Sequence, residues 1–284
     1  MANSIALAVQ WVPKLDEVYK LASLTANLDG SPELVQAGAS ANELRIPMLD
    51  MSPLADYSRN TGYATGDVTL TMETVTANFD KGRMFQVDAL DDMETAGIAF
   101  GRLAGEFIRT KVAPYLDAFR LNAYATAAGV TSATGTLTTG AQVLTAIRAA
   151  VSAMDDAEVT DADKVLYIAP ALLGAVEDLD TTASRAVLAR FSEVIRTPQK
   201  RLNMQITPAD TGDGYTAAGA NINFIAAHRG AVIQFTKHLE PKIITPEINQ
   251  TADAWKFGYR IVSIAKVYQN KVKGIYVNSV TPAP

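Results

Sequence analysis

The chain reads Leu44-Arg-Ile-Pro-Met-Leu-Asp50, then a glycine-bearing turn, Arg59-Asn-Thr-Gly-Tyr-Ala-Thr-Gly-Asp67, and then Val68-Thr-Leu-Thr-Met-Glu-Thr-Val-Thr76. In the last segment Val68, Leu70 and Met72 alternate with polar residues, which is the pattern of a half-buried β-strand. The two extended segments and the turn between them predict a long β-hairpin with one apolar face.

The length of this hairpin indicates how it is stabilised. At about 3.3 Å per residue, an arm of about twelve residues spans on the order of 40 Å. Two β-strands alone are marginally stable in water, and an arm of this length extends beyond the core of an ordinary domain. We therefore expect a surface outside the subunit, supplied by another copy of the chain, to cover the apolar face.

The composition is that of a globular protein and removes several kinds of chemistry. Of 284 residues, 48% are hydrophobic and 19% are charged, which suits one large domain or two smaller ones. The absence of cysteine excludes disulfides, thiolate metal sites and cysteine nucleophiles. The N-terminus lacks the basic region of a signal peptide, and no apolar run approaches the ~20 residues that cross a bilayer, so we expect no membrane partner.

The charge is distributed unevenly along the chain. Residues 1–100 carry 6 basic and 14 acidic side chains, whereas residues 201–284 carry 9 basic and 5 acidic ones. No basic cluster suits a protein that reads duplex DNA. The asymmetry favours attraction between neighbouring copies, and an uneven solvated surface explains it equally well.

The middle of the chain predicts a mixture of helices and strands. Residues 14–28 have the apolar spacing of a short amphipathic helix, and residues 91–127 that of a long helix in which Pro114 should cause a kink or a break. Residues 140–157 predict a second helix, followed by a buried strand at 164–169 and a further helix. This helix–strand–helix unit indicates a small α/β core.

The rest of the chain is predicted to be loop and strand. We interpret residues 129–140 and 210–219 as loops, and residues 180–203 as a polar loop with a short helix near 186–195. The later strand patterns are residues 222–227, 231–235, 242–245, 255–268 and 272–277.

Few residues of the chain occur in patterns that support catalysis. We therefore predict that the protein is not an enzyme and has no cofactor and no metal site. The histidines, His228 and His238, lack metal-binding spacing. The glycine-rich segment 212–219 departs from the spacing of a dinucleotide-binding fingerprint. The adjacent carboxylates of Asp155 and Asp156 diverge on a helix, which makes them poor acid–base partners.

A candidate contact cluster lies nearer the C-terminus. Asp253, Trp255 and Lys256 place an acid, an aromatic ring and a base within four residues. The alternative interpretation is a turn that begins a strand, with Trp255 in the core.

Seven separated segments carry a resemblance to a known family. They are Leu44-Arg-Ile-Pro47, Asp56-Tyr-Ser-Arg-Asn-Thr-Gly-Tyr63, Gly66-Asp-Val-Thr-Leu-Thr71, Phe107-Ile-Arg-Thr-Lys-Val112, Asp117-Ala-Phe-Arg120, Ala252-Asp-Ala-Trp-Lys-Phe-Gly-Tyr-Arg260 and Asn270-Lys-Val-Lys-Gly-Ile-Tyr-Val277. In this order they resemble the major capsid proteins of tailed bacteriophages that have the Hong-Kong-phage type of capsid fold. The resemblance spans about residues 40–278.

The resemblance implies an α+β fold with an N-terminal arm, an extended β-hairpin loop, a long spine helix, and peripheral and axial domains. The implied divisions are 1–43 for the arm, 44–91 for the extended loop, 92–135 for the spine helix and first part of the peripheral domain, 136–235 for the axial domain and 236–284 for the rest of the peripheral domain.

The implied function is that of a structural major capsid protein. Such subunits self-assemble as pentamers and hexamers into the icosahedral head shell of the virion, which encloses double-stranded DNA, and they assemble in the cytoplasm of the bacterial host. The implied partners are other copies, a scaffolding protein, a portal and, non-specifically, the packaged DNA. Because the arm begins at Met1, we expect the scaffolding protein to be a separate chain.

The extended loop supplies the expected intersubunit contacts. We expect these contacts to come from Tyr57, Arg59, Asn60, Tyr63, Val68, Leu70 and Met72. No lysine lies between Asp56 and Asp67, so we do not expect the Lys–Asn cross-link that some members of the family form.

Three other classes of protein remain open from the sequence. The first is an encapsulin-like cellular nanocompartment shell with the same fold. The second is a small-molecule-binding or hydrolytic α/β protein, which would be a monomer or dimer with a compact hairpin. The third is a tail or scaffolding protein; a tail-tube subunit would lack the long helix, and scaffolds are mostly helical.

Overall fold

A computed structural model of the chain describes residues 23–30, 36–37, 43–57, 59–60, 62–63, 65–89 and 104–280. The predicted amphipathic helix, residues 14–28, lies outside these residues up to residue 22, and its described remainder is a turn followed by a 3-10 helix, Ala26–Leu28, instead of an α-helix. The first part of the predicted long helix, residues 91–103, also lies outside the described residues.

The predicted hairpin is present, but its first strand is one residue longer at each end than expected and each strand has nine residues instead of about twelve. Strands β1 (Gln36–Ala37), β2 (Glu43–Met51) and β3 (Val68–Thr76) form an antiparallel sheet in the order β1-β2-β3. Every residue of β2 pairs with one of β3, from Glu43 opposite Thr76 to Met51 opposite Val68. The long β-hairpin is therefore confirmed.

A second antiparallel sheet lies next to the base of the hairpin. It has the order β11-β12-β4, from β4 (Phe79–Asp88), β11 (Val232–Ile244) and β12 (Ala254–Val267). The prediction of separate strands at 231–235 and 242–245 was wrong, because β11 is continuous across an irregularity between Thr236 and His238. Pro241 is tolerated in β11 because this strand lies at the edge of the sheet, where a backbone donor can be missing.

The long helix crosses this sheet. Residues 104–107 are α-helical, Ile108–Val112 are π-helical, and α1 (Ala113–Ala125) completes the helix. Proline removes one backbone donor and crowds the preceding turn, and here the helix accommodates Pro114 by a π-helical turn instead of a break. Ile108 and Leu116 pack with Phe257 and Ile261 of β12.

A mixed five-stranded sheet forms the other half of the molecule. Its order is β5-β13-β10-β6-β7, from β5 (Thr131–Thr134), β6 (Lys164–Ile168), β7 (Glu193–Arg196), β10 (Ile222–His228) and β13 (Ile275–Ser279). The remaining strands, β8 (Ile206–Pro208) and β9 (Tyr215–Ala217), form a small hairpin.

Helices cover both faces of the five-stranded sheet. They are α1 on one face, and α2 (Gly140–Asp156), α3 (Pro170–Glu177) and α4 (Thr182–Leu188) on the other. Thr139 caps α2, because its hydroxyl accepts from the Gln142 amide while the Gln142 side chain accepts from the Thr139 amide. The predicted helix–strand–helix unit is thus confirmed as α2, β6 and α3.

Short pairing strands account for the wrong loop predictions. The expected loops at 129–140, 180–203 and 210–219 contain β5, β7 and β9, and α4 starts ahead of the helix expected near 186–195. The strand expected at 272–277 begins only at Ile275, after a 3-10 segment. Because β5 pairs in parallel with β13 and β7 with β6, distant partners and not local patterns define these strands.

The five-stranded sheet also crosses the expected domain limits. Strands β5 and β13 lie outside residues 136–235, the range expected for an axial domain. The chain therefore returns to this sheet at its C-terminal end, after completing the sheet that contains β11 and β12. The division into peripheral and axial domains itself stays a prediction.

Candidate intersubunit interface

One face of the hairpin is apolar and exposed to solvent. Leu49 lies directly opposite Leu70, and Met51 lies directly opposite Val68, so these four side chains share a face with Met72. Their exposed fractions are 56% for Leu49, 60% for Leu70, 63% for Met51, 67% for Val68 and 49% for Met72. Unlike a scatter of single apolar residues, this is a contiguous strip on paired strands, and such strips mark interaction surfaces.

The other face of the hairpin rests on the body of the subunit at its base. Val75 is buried against Ile233 and Ile264, and the buried carboxylate of Glu73 lies 3.4 Å from the ammonium of Lys266. Alternation along a strand places Glu73 and Val75 on the side opposite Met72. The subunit thus uses the mixed face to hold the hairpin and leaves the apolar face uncovered.

The tip of the hairpin presents two aromatic rings. Tyr57 and Tyr63 lie edge to face with ring centroids 5.0 Å apart, and they are 61% and 89% exposed. Leu54 is fully exposed beside them, and Arg59 and Asn60 form the exposed turn. The structure therefore places all seven predicted contact residues of the extended loop on the hairpin and exposes them.

Two residues close the neck of this tip. The Ser52 amide donates to the Asp67 carbonyl at 3.0 Å, and the Asp67 amide donates to the Ser52 hydroxyl at 2.9 Å. Gly62 has a φ of +77°, a left-handed conformation that favours glycine. The two hydrogen bonds therefore continue the pairing of the hairpin one residue beyond the last strand pair, Met51 opposite Val68.

The candidate cluster near the C-terminus has a different environment. Trp255 is half-buried against the core between the long helix and β12, and it lies opposite Val87 of β4. The Asp253 carbonyl accepts from the Ala89 amide at 3.1 Å, and Lys256 is half-buried. The structure does not bring this cluster to the hairpin, because it lies at the opposite end of β12 from Ile264.

A buried carboxylate binds residues 23–25, which lie within the predicted arm. Asp117 of α1 is fully buried and accepts from the Ser23 hydroxyl at 2.7 Å, the Leu24 amide at 2.8 Å and the Thr25 hydroxyl at 2.7 Å. Arg201, in the turn after β7, donates to the same carboxylate at 2.9 Å. Asp117 therefore joins the arm, the long helix and the five-stranded half of the molecule.

A buried arginine extends this network to the other sheet. Arg120 donates to the hydroxyls of Thr25 at 3.1 Å and Thr236 at 3.2 Å. The Gln234 side chain donates from Nε2 to the Thr25 carbonyl at 2.6 Å and accepts at Oε1 from the Tyr124 hydroxyl at 2.7 Å. Burial raises the pKa of Tyr124. Asp117 and Arg120 belong to one of the motifs that carry the family resemblance, but their role in this network was not predicted from the sequence. Two charges on an apolar helix face are the signal that could have revealed it.

The acidic residues near α2 form an ion network and not a reaction centre. The fully buried Lys164 ammonium lies 2.7 Å from Asp155 and 2.8 Å from Asp161, and the Arg190 guanidinium contacts both carboxylates. Hydrogen bonds from Arg190 and Lys164 lower the pKa of Asp161 to about 2. All four charges have partners, which is the arrangement of a structural network.

The described part of the chain contains no cluster of three or more acidic, histidine or cysteine side chains arranged to hold a metal ion. The His228 imidazole Nδ1 accepts from the Gly230 amide at 3.1 Å, and Nε2 lies 3.3 Å from the Thr160 hydroxyl. Among the described helices, none is long and apolar enough to cross a membrane.

Comparison with known proteins identifies the fold. No protein-family model and no curated protein sequence matches the chain. The structure is similar to one from Mycobacterium phage Che8, with a TM-score of 0.61, 15% identity and 90% of both chains covered. It is similar to the capsid structure of the cyanophage P-SCSP1u, with a TM-score of 0.58, 12% identity and coverage of 90% of this chain and 88% of that one.

A virus-like particle from Pyrococcus furiosus is similar as well. The TM-score is 0.60 at 9% identity, with 94% of this chain and 99% of that chain covered. Identities this low establish a shared fold and not a shared function. The protein has the α+β capsid fold, as predicted, and it combines the extended hairpin with the long helix and the two sheets that carry them.

Proposed function

We propose that this protein is a structural major capsid protein that self-assembles as pentamers and hexamers into an icosahedral phage head shell. The observation that carries the proposal is the hairpin, which pairs along nine residues of each strand and leaves the apolar face of both strands exposed. The fold shared with phage capsid structures supports the same conclusion.

The exposed face accounts for assembly in physical terms. Covering apolar surface stabilises a contact by about 25 cal/mol per Å², and a closed shell repeats the same contact around every subunit. Tyr57, Arg59, Asn60, Tyr63, Val68, Leu70 and Met72 make the contact in this proposal. Asp253, Trp255 and Lys256 form a secondary contact, limited by the burial of Trp255.

The proposal includes the setting of the shell. The axial domain, residues 136–235, surrounds the capsomer axis, and residues 92–135 with 236–284 form the peripheral domain. The shell belongs to the virion, assembles in the bacterial cytoplasm with a separate scaffolding protein and a portal, and touches packaged DNA without sequence preference.

Electron microscopy of the purified chain tests the proposal. We expect closed shells from the intact chain, and soluble folded subunits that form no shells when residues 57–65 are deleted. The circular dichroism spectrum of the deletion variant should match that of the intact chain, because the deletion leaves the strand pairs of β2 and β3 in place. Normal particles from the deletion variant would refute the proposed role of the hairpin.

An encapsulin-like nanocompartment is the second candidate, and the likeness to the Pyrococcus furiosus particle motivates it. Particle diameter and nucleic-acid content of shells recovered from the native host separate the two candidates. Large shells filled with double-stranded DNA support the phage head, whereas small shells that enclose protein support the compartment.

A further inference from the structure

The hairpin joins the body of the subunit at Asn78, between the end of β3 and the start of β4. The Asn78 side chain donates from Nδ2 to the Ala265 carbonyl at 2.7 Å and accepts at Oδ1 from the Ala265 amide at 3.1 Å. From Phe79 onwards the chain pairs with β12, beginning opposite Ser263. Asn78 is therefore a fixed point on the body, and the hairpin extends from it.

Few residues hold the base of the hairpin against the body. Of the nine residues of β3, Glu73 and Val75 are buried and the others are exposed. Val75 packs on Ile233 and Ile264 in a small apolar cluster of its own. The seat of β3 on the body therefore combines one buried apolar side chain of the strand with one buried carboxylate.

The carboxylate of Glu73 lacks the partners that a buried charge requires. None of the residues that the structure describes donates a hydrogen bond to either of its oxygens. The ammonium of Lys266 lies 3.4 Å from Oε1, and this lysine side chain is itself 41% exposed to solvent. A buried charge is stabilised only when close pairing and hydrogen bonds replace the water that it has lost. Glu73 therefore makes the seated position of the hairpin base less stable.

The buried carboxylate of Asp117 provides a contrast within the same molecule. Its oxygens accept hydrogen bonds from residues 23–25 and from Arg201, so the charge is fully satisfied where it holds the arm. A satisfied carboxylate opposes any opening of its contact, whereas a carboxylate without hydrogen bonds gains water when its contact opens. The environment of Glu73 thus favours a contact that opens and closes.

We infer that Glu73 is a release group for the hairpin. Burial of Val75 seats the base on the body, the unsatisfied carboxylate of Glu73 opposes this, and the hairpin turns about Asn78 when the base lifts. This inference rests on the proposed assembly, because a shell of pentamers and hexamers repeats the same contact at two different angles between neighbours. A base held by a small and weakened contact permits both angles, whereas a rigid base permits one.

Thiol labelling of dilute, unassembled subunits measures this release, because the chain contains no native cysteine. The thiol of Val75→Cys reacts with iodoacetamide when the hairpin base lifts. Val143→Cys replaces the same residue type in the core beneath α2, where the thiol reacts only on global unfolding. We expect Val75→Cys to react at least about tenfold faster than Val143→Cys under native conditions, since local opening costs less than global unfolding. Equal rates overturn the inference.

A second substitution added to Val75→Cys tests the role of Glu73 itself. Glu73→Met keeps the length of the side chain and removes its charge. We expect labelling to slow by about tenfold, since replacing a poorly paired buried charge with an apolar side chain stabilises the buried state. Thr71→Met is the matched control, because residue 71 lies on the same face of β3 and is exposed, and it should leave the rate unchanged. An unchanged or faster rate with Glu73→Met overturns the inference.

Assembly of the same variants separates the inference from the proposed function. In electron micrographs we expect fewer closed shells from Glu73→Met, because a fixed hairpin base suits one angle, and a normal yield from Thr71→Met. Normal shells from Glu73→Met overturn the link between release and assembly. If the unmodified chain forms no shells, the proposed function is wrong, and the labelling rates still decide whether Glu73 releases the hairpin.

Discussion

Placing one charge on either face of β3 separates assembly from folding. Leu70→Lys puts an ammonium on the exposed apolar face, and Thr69→Lys puts the same group on the adjacent, exposed residue of the other face. Both variants add one positive charge to the protein, and both place it at an exposed position of the same strand. We expect Leu70→Lys to prevent shell formation and Thr69→Lys to leave it nearly unchanged.

The size of the effect follows from the exposure of Leu70. Full burial of a leucine side chain contributes about 1.5–3 kcal/mol, and Leu70 is 60% exposed in the isolated subunit. A neighbour that covers this remainder therefore gains about 1–2 kcal/mol per contact, which is a factor of about 5–30 in an equilibrium constant. The desolvation cost of an ammonium in the same place adds to this loss.

The assay is the subunit concentration at which shells appear, measured by sedimentation and checked by negative-stain microscopy. The free energy of unfolding of the unassembled subunit should change by no more than about 0.5 kcal/mol in either variant, since both positions are on the surface. The reasoning fails if Leu70→Lys assembles at the wild-type concentration. It also fails if Thr69→Lys is impaired to the same degree, because the apolar face would then have no special role.

Three further predictions concern the body of the subunit. Asp117→Asn should lower the free energy of unfolding by about 3 kcal/mol in urea titrations, because the fully buried carboxylate loses the charge that pairs with Arg201; an unchanged midpoint would contradict the anchoring role. Because Arg190 holds the pKa of Asp161 at about 2, below its ordinary value of 3.8, the stability from this carboxylate is present above pH 3.8 and lost as the pH falls through about 2. Acid titrations of Asp161→Asn should lack that component, and a curve parallel to wild type would exclude it. Gly140→Ala should be strongly destabilising in thermal scans, because the new Cβ would lie 2.0 Å from a backbone oxygen of α3, whereas Gly135→Ala meets no atom within 4 Å and serves as the control.

Local pattern was sufficient for the elements that carry one continuous apolar face. The alternation in β3 and the helical spacing from Val143 to Met154 each predicted an element that the structure confirms. The same reasoning missed β5 and β7, because strands of four residues carry too little pattern and are defined by the neighbours with which they pair. It also divided β11 at a position where the edge of a sheet tolerates irregularity.

The interface was predictable in part for the same reason. Exposure of Val68, Leu70 and Met72 follows from an apolar strip on an arm too long for its own core. An apolar cleft between β4, the long helix and residues 208–214 was not predictable, since its lining residues come from separated parts of the chain and none of them forms a local motif. For Trp255 the sequence left open whether the side chain lies on the surface or in the core. In the structure it packs against the helix and is half-buried.

By itself, the sequence determined the hairpin, the long helix, the α/β unit and the apolar strip that the subunit leaves uncovered, because each depends on the spacing of residues within one segment. Only the tertiary structure decided which strands share a sheet, how Asp117 connects the arm to both halves of the molecule, and where a cleft opens. Those features arise from contacts between residues about a hundred positions apart, such as Ser23 with Asp117. The spacing of residues within one segment does not determine which distant segments come into contact.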